Sequence, residues 1–364
     1  MITVRDDLAE LEGYHSPQVS VDVRLNTNES PYPPPAAWRE AFLEELAAVP
    51  FHRYPDRGAR ALRHAIAELH GVAPDQVLAG KGSNEVIQAL CLAYGGPGRT
   101  VAVFEPTYAL HSHIPRITGT GVAVGERRDD FTLDPAEVER LVTEARPAIT
   151  FLCSPNNPTG RIDPPEVVEA ALRAAPGLVV VDEAYAQFAD WSALSLLSDD
   201  RPLVVTRTFS KTWSMAACRL GYLVAPAEVV SAAERALLPY HLDAATQVAG
   251  RLALRFTAEM EARVAALVAE RERLAAVLAS LPVDTWPSGA NFVLFRPRHL
   301  AGPTVWKGLV ERSVLVRACS TGGCSCATAP TGRASPAACG SRWARPRRAT
   351  PSSPRWGRCW RGEP

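Results

Sequence analysis

The stretch Leu178-Val179-Val180-Val181-Asp182-Glu183-Ala184-Tyr185 indicates the fold, since a run of apolar residues leads directly into a carboxylate. Such a run is typical of a strand that is buried on both faces of a parallel sheet. An unpaired carboxylate at the end of a buried strand costs several kcal/mol, so Asp182 needs a partner. A helix cap, a structural salt bridge or the protonated pyridine nitrogen of a ligand would each supply one.

Further apolar runs on both sides of this stretch alternate with helical patterns. The strand candidates are 100–105, 149–153, 203–208 and 220–224, and the helix candidates include 85–94 and 166–174. Strands that alternate with helices predict an α/β fold with a mostly parallel sheet. Motifs at the ends of those strands should therefore meet in one crevice.

The residues beyond this region predict a second, smaller domain of the α+β type. A long helical pattern over 257–281 is followed by strand patterns over 283–286 and 291–296 and by a helix over 304–312. We predict four parts, which are an N-terminal segment that contributes to the small domain (1–45), a large domain (46–280), an incomplete small domain (281–317) and an atypical, disordered tail (318–364).

Composition argues against several classes of partner. The chain has 39 basic and 39 acidic residues, so it offers no overall electrostatic footprint for nucleic acid or an anionic membrane. No apolar run reaches the roughly 20 residues that span a bilayer, and we expect a cytoplasmic location. Cys91, Cys153 and Cys218 lie in apolar or motif-rich surroundings, where a cysteine is usually a small buried hydrophobe.

Lys211 is the candidate for covalent chemistry. The chain has three lysines, and this one follows an apolar strand pattern in Thr208-Phe209-Ser210-Lys211. A lysine amine forms an imine with an aldehyde cofactor, and burial beside cations favours its reactive form. Taken alone, a solvated surface lysine would be the better interpretation.

Polar side chains around the lysine indicate a phosphate site. Two hydroxyls lie next to it, and a guanidinium that suits a phosphate monoester follows eight residues later. A glycine-containing turn before a predicted helix adds backbone N–H groups, which bind anions at a helix N-terminus. The turn is weak evidence by itself and gains weight from agreement with the other groups. The candidates are Ser83, Asn84, Thr208, Ser210 and Arg219.

Two further groups could bind the phenolate oxygen of the same cofactor. Tyr185 follows Asp182 by three residues, and Asn157 lies in Ser154-Pro155-Asn156-Asn157-Pro158. Asn157 is also compatible with a plain turn residue before proline. A purely structural role is credible for each of these residues taken singly. It does not explain why all of them occur together in this order.

These motifs resemble those of the class I/II aminotransferases of pyridoxal 5'-phosphate (PLP) fold type I, and most closely those of histidinol-phosphate aminotransferases. The resemblance runs in family order from about residue 5 to residue 317. It implies a large α/β domain with a mostly parallel, seven-stranded sheet, beside a smaller α+β domain. The matching stretches are 25–31, 53–56, 82–85, 106–108, 154–160, 182–185, 210–211 and 219–221.

The resemblance implies a role for each matching residue. Lys211 would hold PLP as a Schiff base and move the proton between Cα and C4′, and Asp182 would hold the pyridinium. Tyr108 would stack on the ring, while Tyr185 and Asn157 would bind the phenolate oxygen. The phosphate candidates named above would hold the phosphate.

The resemblance also implies a homodimer and a substrate site. Tyr54 would reach the phosphate of the neighbouring subunit, and Asn28 would bind substrate. Tyr14 matches a family tyrosine that contacts the acidic group of the substrate, although a buried aromatic anchor is an equally credible interpretation. Arg317 is the remaining candidate for the distal acidic group.

The composition changes abruptly after Val316. Residues 318–364 contain no Leu, Ile, Val, Phe, Tyr or Met, one acidic residue and five cysteines. Such a segment buries too little apolar surface to offset its ordering entropy, so we predict disorder. We predict no metal site, since these cysteines lack structural-zinc spacing, and a basic RNA-binding tail has no further support.

Family members carry an arginine-containing strand and a C-terminal helix where this tail lies. The codons of residues 339–345, read one nucleotide earlier, can spell Leu-Arg-Val-Thr-Val-Gly-Thr, which resembles that strand. A similar shift of residues 352–360 can spell an amphipathic helix. We hypothesise that the reading frame slips between about residues 317 and 324, which the nucleotide sequence would test.

The predicted function is transamination with histidinol phosphate as amino donor and 2-oxoglutarate as acceptor. Three alternatives remain open, because one fold supports several activities. They are an aromatic amino acid aminotransferase, a PLP lyase or decarboxylase resembling threonine-phosphate decarboxylase, and a non-catalytic chain that binds PLP but has a damaged C-terminus.

Overall fold

The computed structural model describes residues 2–9, 11, 19–318 and 324–327. Its helices are α1 (Asp6–Ala9), α2 (Ala36–Ala47), α3 (Arg60–His70), α4 (Ser83–Tyr94), α5 (Leu110–Ile117), α6 (Pro135–Ala145), α7 (Pro165–Ala174), α8 (Ala227–Glu234), α9 (Ala244–Ala253), α10 (Thr257–Ala279) and α11 (Gly302–Val310). Its strands are β1 (Val23–Arg24), β2 (Val77–Gly80), β3 (Thr100–Glu105), β4 (Gly121–Glu126), β5 (Ile149–Cys153), β6 (Leu178–Asp182), β7 (Leu203–Thr208), β8 (Gly221–Val224), β9 (Val283–Thr285), β10 (Phe292–Pro297), β11 (Val314–Leu315), β12 (Arg317–Ala318) and β13 (Cys324–Ala327).

A seven-stranded sheet forms the centre of the fold, in the order β2-β8-β7-β6-β5-β3-β4. All neighbouring pairs are parallel except the two that include β8, which is antiparallel to both β2 and β7. The register places Asp182 beside Cys153 on one neighbour and Thr206 on the other. The α/β fold with a mostly parallel sheet is confirmed.

Alternate residues of the central strands belong to different cores. In β6, Leu178 and Val180 pack in a cluster with α4, α5 and α8, whereas Val179 and Val181 pack in a cluster with α6 and α7. Successive side chains of a strand point to opposite faces, so both faces of this strand are buried. This arrangement explains why the sequence of β6 is continuously apolar rather than alternating.

Local signals define several helix ends next to the sheet. Asp134 accepts a hydrogen bond from the backbone N–H of Ala136 at the start of α6, and Asp243 accepts one from Thr246 at the start of α9. Helix α3 ends at Gly71, which adopts a left-handed conformation with φ of 65°. Glycine adopts that conformation without the steric cost of a Cβ atom.

A smaller sheet follows the long helix α10, in the order β12-β13-β10-β9, and all its neighbouring pairs are antiparallel. A separate pair joins the N-terminal segment to the residues that follow α11, since β1 runs parallel to β11 through Val23 and Val314. The N-terminal segment therefore contacts the predicted small domain. The exact domain boundaries stay predictions.

The structure corrects the expectation for the start of the tail. Ala318 lies in β12, and Cys324–Ala327 form a strand between β10 and β12, so disorder from residue 318 is wrong for these residues. Backbone hydrogen bonds to two neighbouring strands do not require apolar side chains. The segments 339–345 and 352–360, which underlie the frame-slip hypothesis, lie outside the described residues.

Among the residues that the structure describes, no helix is long and apolar enough to cross a membrane.

Candidate active site

The site lies where three parallel strands end side by side. Cys153 ends β5, Asp182 ends β6 and Thr208 ends β7. Their carboxyl ends share one edge of the sheet, which is where open α/β sheets bind ligands. Asp182 is 2% exposed, and its Oδ1 accepts a hydrogen bond of 3.1 Å from the backbone N–H of Ala184.

His111 is a site residue that the sequence analysis missed. Its Nε2 lies 2.9 Å from Asp182 Oδ2, and both side chains are buried. Its ring stacks on Phe151 at 5.0 Å and meets Tyr108 edge-on at 5.3 Å. The signal that could have identified it is its position three residues after Tyr108, on the helix that follows β3. The side-chain atoms of His111, Cys153 and Asp182 that could bind a metal ion lie within 4.8 Å of one another.

Lys211 lies just beyond β7, with its amine directed into the site. Nζ donates a hydrogen bond of 2.7 Å to the backbone carbonyl of Thr27 and lies 5.8 Å from the ring centroid of Tyr185. Burial, and then the charge of Arg317, lowers the pKa of Lys211 to about 8, while Glu29 opposes this and Arg219 adds to it. The amine is therefore partly unprotonated near neutral pH, as attack on a carbonyl requires.

Four predicted residues form two hydrogen-bonded pairs in this part of the site. Tyr185 is 3% exposed, and its hydroxyl accepts a hydrogen bond of 3.0 Å from Asn28 Nδ2. Asn157 Oδ1 accepts a hydrogen bond of 3.3 Å from Arg317 Nη1. The Asn157 amide therefore keeps its N–H groups for another acceptor. Arg317 lies close enough to Lys211 for its charge to lower the pKa of that amine, and its role toward the distal acidic group of the substrate stays a prediction.

The phosphate candidates form an anion cradle. Ser210 Oγ accepts hydrogen bonds from Thr208 Oγ1 at 3.0 Å and from Arg219 Nη1 at 3.3 Å. Arg219 faces the first turn of α4, since a Cβ atom on Gly82 would lie 2.7 Å from its Nη2. Likewise, a Cβ atom on Gly221 would lie 2.2 Å from the backbone nitrogen of Ser83. Glycines are needed at both positions for this close approach.

The ring-side candidates are also close to the cradle. Tyr108 Oη donates a hydrogen bond of 3.2 Å to Asn84 Oδ1, so the ring and the first turn of α4 are held together. This brings Tyr108 to the same edge of the sheet as Asp182, through His111.

One predicted residue among those that the structure describes is not brought into this cluster. Tyr54 is 80% exposed and stacks on Tyr240, with ring centroids 4.5 Å apart. Tyr14 lies outside the described residues.

The arrangement fits PLP. The carboxylate of Asp182 is buried at the end of β6, the amine of Lys211 follows β7, and the anion cradle lies at the start of α4. These groups match the ring nitrogen, the aldehyde and the phosphate of that cofactor. The spare N–H groups of Asn157 and the hydroxyl of Tyr185 offer donors for the ring oxygen.

Buried ion pairs support the loops that carry these residues. Arg127 makes two hydrogen bonds of 2.7 Å to Asp163, and both side chains are 1% exposed. Asp163 in turn is held by Ser154, whose Oγ accepts from its backbone N–H at 3.0 Å. This pair anchors the loop that positions Asn157.

The fold and the site together define a PLP-type transferase architecture, and the chain belongs to the aminotransferase class I and II family, whose model matches residues 20–343. Members of such a family transfer an amino group from an amino donor to a 2-oxo acid, so the chain is an enzyme of the transferase class.

Within this family, the chain is similar to curated histidinol-phosphate aminotransferases. The chain is 45% identical over 331 residues to the histidinol-phosphate aminotransferase of Frankia casuarinae, a match that covers 87% of this chain and 83% of that protein. It is 41% identical over 339 residues to the histidinol-phosphate aminotransferase of Corynebacterium diphtheriae, with 88% and 90% covered.

Solved structures show the same fold. The histidinol-phosphate aminotransferase of Sinorhizobium meliloti, solved in complex with pyridoxal-5'-phosphate, superposes with a TM-score of 0.78 at 22% identity and covers 86% of this chain and 88% of that one. The aspartate aminotransferase of Thermus thermophilus with maleate gives a TM-score of 0.73 at 25% identity, with 85% and 87% covered.

Proposed function

We propose that this chain is a PLP-dependent aminotransferase that transfers the amino group of histidinol phosphate to 2-oxoglutarate. The observation that carries the proposal is the meeting of Lys211, Asp182 and an anion cradle in one crevice. The choice of substrate is supported by the relatives of that name at 41 to 45% identity.

Residues of the chain would have separate roles in the reaction. Lys211 would bind the aldehyde carbon and carry the proton between the substrate carbon and the cofactor carbon. Asp182, held by His111 and by the Ala184 N–H, would bind the ring nitrogen. PLP, when bound, supplies the electron sink. Since one lysine serves both half-reactions, we expect ping-pong kinetics.

The acidic group of the substrate would be bound near Arg317. The guanidinium contacts Asn157 and lowers the pKa of Lys211, so it would lie near a substrate that reacts at that amine. Both a phosphate monoester and a carboxylate suit a guanidinium. We also propose that Tyr14 and Asn28 contact the substrate.

The active unit would be a homodimer. Four large apolar side chains are exposed on neighbouring parts of the surface, namely Phe51 at 72%, Tyr54 at 80%, Leu238 at 78% and Tyr240 at 41%. An exposed group of this size is typical of an interface, and a two-fold interface would bury the same patch on each subunit. We also propose that the protein is located in the cytoplasm.

The experiment is a visible spectrum of the protein loaded with PLP, followed by addition of histidinol phosphate. We expect the cofactor band to convert to the amine form and to return when 2-oxoglutarate is added. Lys211→Ala should show neither change, whereas Lys307→Ala, which alters an exposed lysine, should behave as the unaltered protein.

Other outcomes would select other functions. Conversion by phenylalanine but not by histidinol phosphate would favour an aromatic aminotransferase, and release of carbon dioxide from added threonine phosphate would favour a decarboxylase. A normal cofactor band with no donor response would favour a non-catalytic chain. Full activity in Lys211→Ala would overturn the proposal.

A further inference from the structure

The buried side chain of Asn28 makes a contact that the predicted role in substrate binding does not explain. Asn28 is 3% exposed, and its Nδ2 donates to Tyr185 Oη at 3.0 Å. Its backbone carbonyl accepts a hydrogen bond of 3.2 Å from Asn291 Nδ2, and Asn291 is fully buried. Asn28 has φ of 54°, a conformation that asparagine tolerates better than most residues.

This contact determines which way the tyrosine hydroxyl can donate. A tyrosine hydroxyl has one hydrogen, and an amide N–H that donates to the oxygen leaves that hydrogen for another acceptor. Burial raises the pKa of Tyr185 above its usual value, so the hydroxyl keeps its hydrogen at neutral pH. The ring centroid of Tyr185 lies 5.8 Å from Nζ of Lys211, the amine that would hold PLP.

We propose that Asn28 is a positioning residue, whose amide directs the Tyr185 hydroxyl hydrogen toward the ring oxygen of bound PLP. The inference deepens the proposed function and rests on it. Asn28 would act through Tyr185, without touching the cofactor itself.

The segment that carries Asn28 links the cofactor site to strand β11. The N–H groups of Val23 and Leu25 donate to the carbonyls of Ser313 and Leu315, at 3.0 and 2.8 Å. Thr27, next to Asn28, accepts the hydrogen bond from the Lys211 amine. A shift of this segment relative to the large sheet would therefore change the surroundings of Lys211 and Tyr185 together.

The expected effect is on the Lys211 nitrogen when PLP is bound. Loss of its proton leaves the cofactor's ring oxygen with a more localised negative charge, and a donor to that oxygen stabilises this form. The donor therefore lowers the pKa of the nitrogen. Other charged or titratable groups also face these residues, and they must stay unchanged in the comparison: Arg317, Arg219 and Glu29 around Lys211, and Arg317, Cys153 and Asp182 around Tyr185.

The test is a pH titration of the visible cofactor band. Tyr185→Phe removes the donor and should lower the acid dissociation constant about tenfold, as expected for one hydrogen bond to a charged group. Asn28→Gly removes the amide and accommodates the positive φ, and it should lower the constant about threefold. Asn28→Asp keeps the size but can only accept, so it should lower the constant by more than Asn28→Gly does.

Two controls separate the mechanism from simpler effects. Ser30→Ala removes a hydrogen bond of 2.9 Å to Ser214 from the same segment, and it should leave the titration unchanged. Asn28→Asp also adds a charge, so it is repeated together with Tyr185→Phe, where only the charge effect remains. We expect the change caused by Asn28→Asp to be larger when Tyr185 is present.

The outcomes are distinct. Equal changes with and without Tyr185, or an unshifted titration in Asn28→Gly, would overturn the positioning role while leaving the proposed function intact. No change in Tyr185→Phe would mean that its hydroxyl donates elsewhere, for example to Asn28, and would also overturn the role. Absence of a Lys211-dependent band in the unaltered protein would overturn both proposals.

Discussion

At the scale of single residues, the site depends on groups whose ionisation is altered by their surroundings. Lys211 is the clearest case, because burial and the charge of Arg317 act in the same direction on its pKa. Burial penalises the ammonium form, and a nearby cation penalises it further. In the proposed function, Arg317 would therefore affect both substrate binding and the fraction of Lys211 that is unprotonated.

We expect the rate of PLP loading into the apoprotein to rise with pH through about 8, where Lys211 loses its proton. Arg317→Met removes a cation that lowers this pKa, so the midpoint should move to higher pH and loading near neutral pH should slow. Arg317→Lys retains the charge and is the matched control. Rapid-mixing absorbance over a pH series measures the midpoint, and an identical profile in Arg317→Met would contradict the electrostatic role.

At the scale of elements, the loops after the strands are held by buried polar contacts. The loop that carries Asn157 is fixed by the buried Arg127–Asp163 pair. Removing one member of a buried pair leaves an uncompensated charge, and this costs more than the pair itself contributes.

Arg127→Met should reduce the free energy of unfolding by about 3–5 kcal/mol, because it leaves Asp163 buried without its partner. Arg173→Met breaks the exposed pair with Glu139, whose side chains are 61% and 46% exposed, and should cost less than about 1 kcal/mol. Urea unfolding of both variants compares the two costs. A loss in Arg127→Met no larger than that in Arg173→Met would show that the pair is not needed.

At the scale of the whole molecule, the proposed dimer makes a prediction about shared sites. Tyr54 has Tyr240 as its aromatic neighbour and is 80% exposed, so in the proposed dimer it would be available for contact with a second copy. A site would then combine Lys211 of one subunit with the partner subunit's Tyr54.

The Lys211→Ala and Tyr54→Ala variants should each be inactive alone. Mixing the two variants under conditions that allow subunits to exchange should restore activity. Random exchange makes half of the dimers mixed, and each mixed dimer has one unaltered site, so about a quarter of the original activity should return. Mixing without exchange is the control and should restore none. Failure to restore activity, although mixed dimers form, would show that Tyr54 acts within its own subunit.

Much of the central sheet follows from sequence pattern. The predicted bounds of β3, β5, β6 and β7 agree with those observed, because buried strands are short apolar runs between helices. Strand β4 was not predicted, since Gly121–Glu126 lies at the sheet edge with a mixed exposure pattern and contains two glycines. Strand β13 was also missed, because Cys324–Ala327 is stabilised by pairing on both sides and not by an apolar pattern.

The sequence by itself determined the order of the motifs, the reactive lysine and the carboxylate at the end of β6, because each depends on neighbouring residues and on strand periodicity. Only the tertiary structure decided that His111 meets Asp182 and that Asn28 meets Tyr185, 71 and 157 residues away along the chain. It also decided that Arg317 lies beside Lys211. Hydrogen bonds and charges act over a few ångströms in space, so contacts between distant segments leave no periodic signal in the sequence.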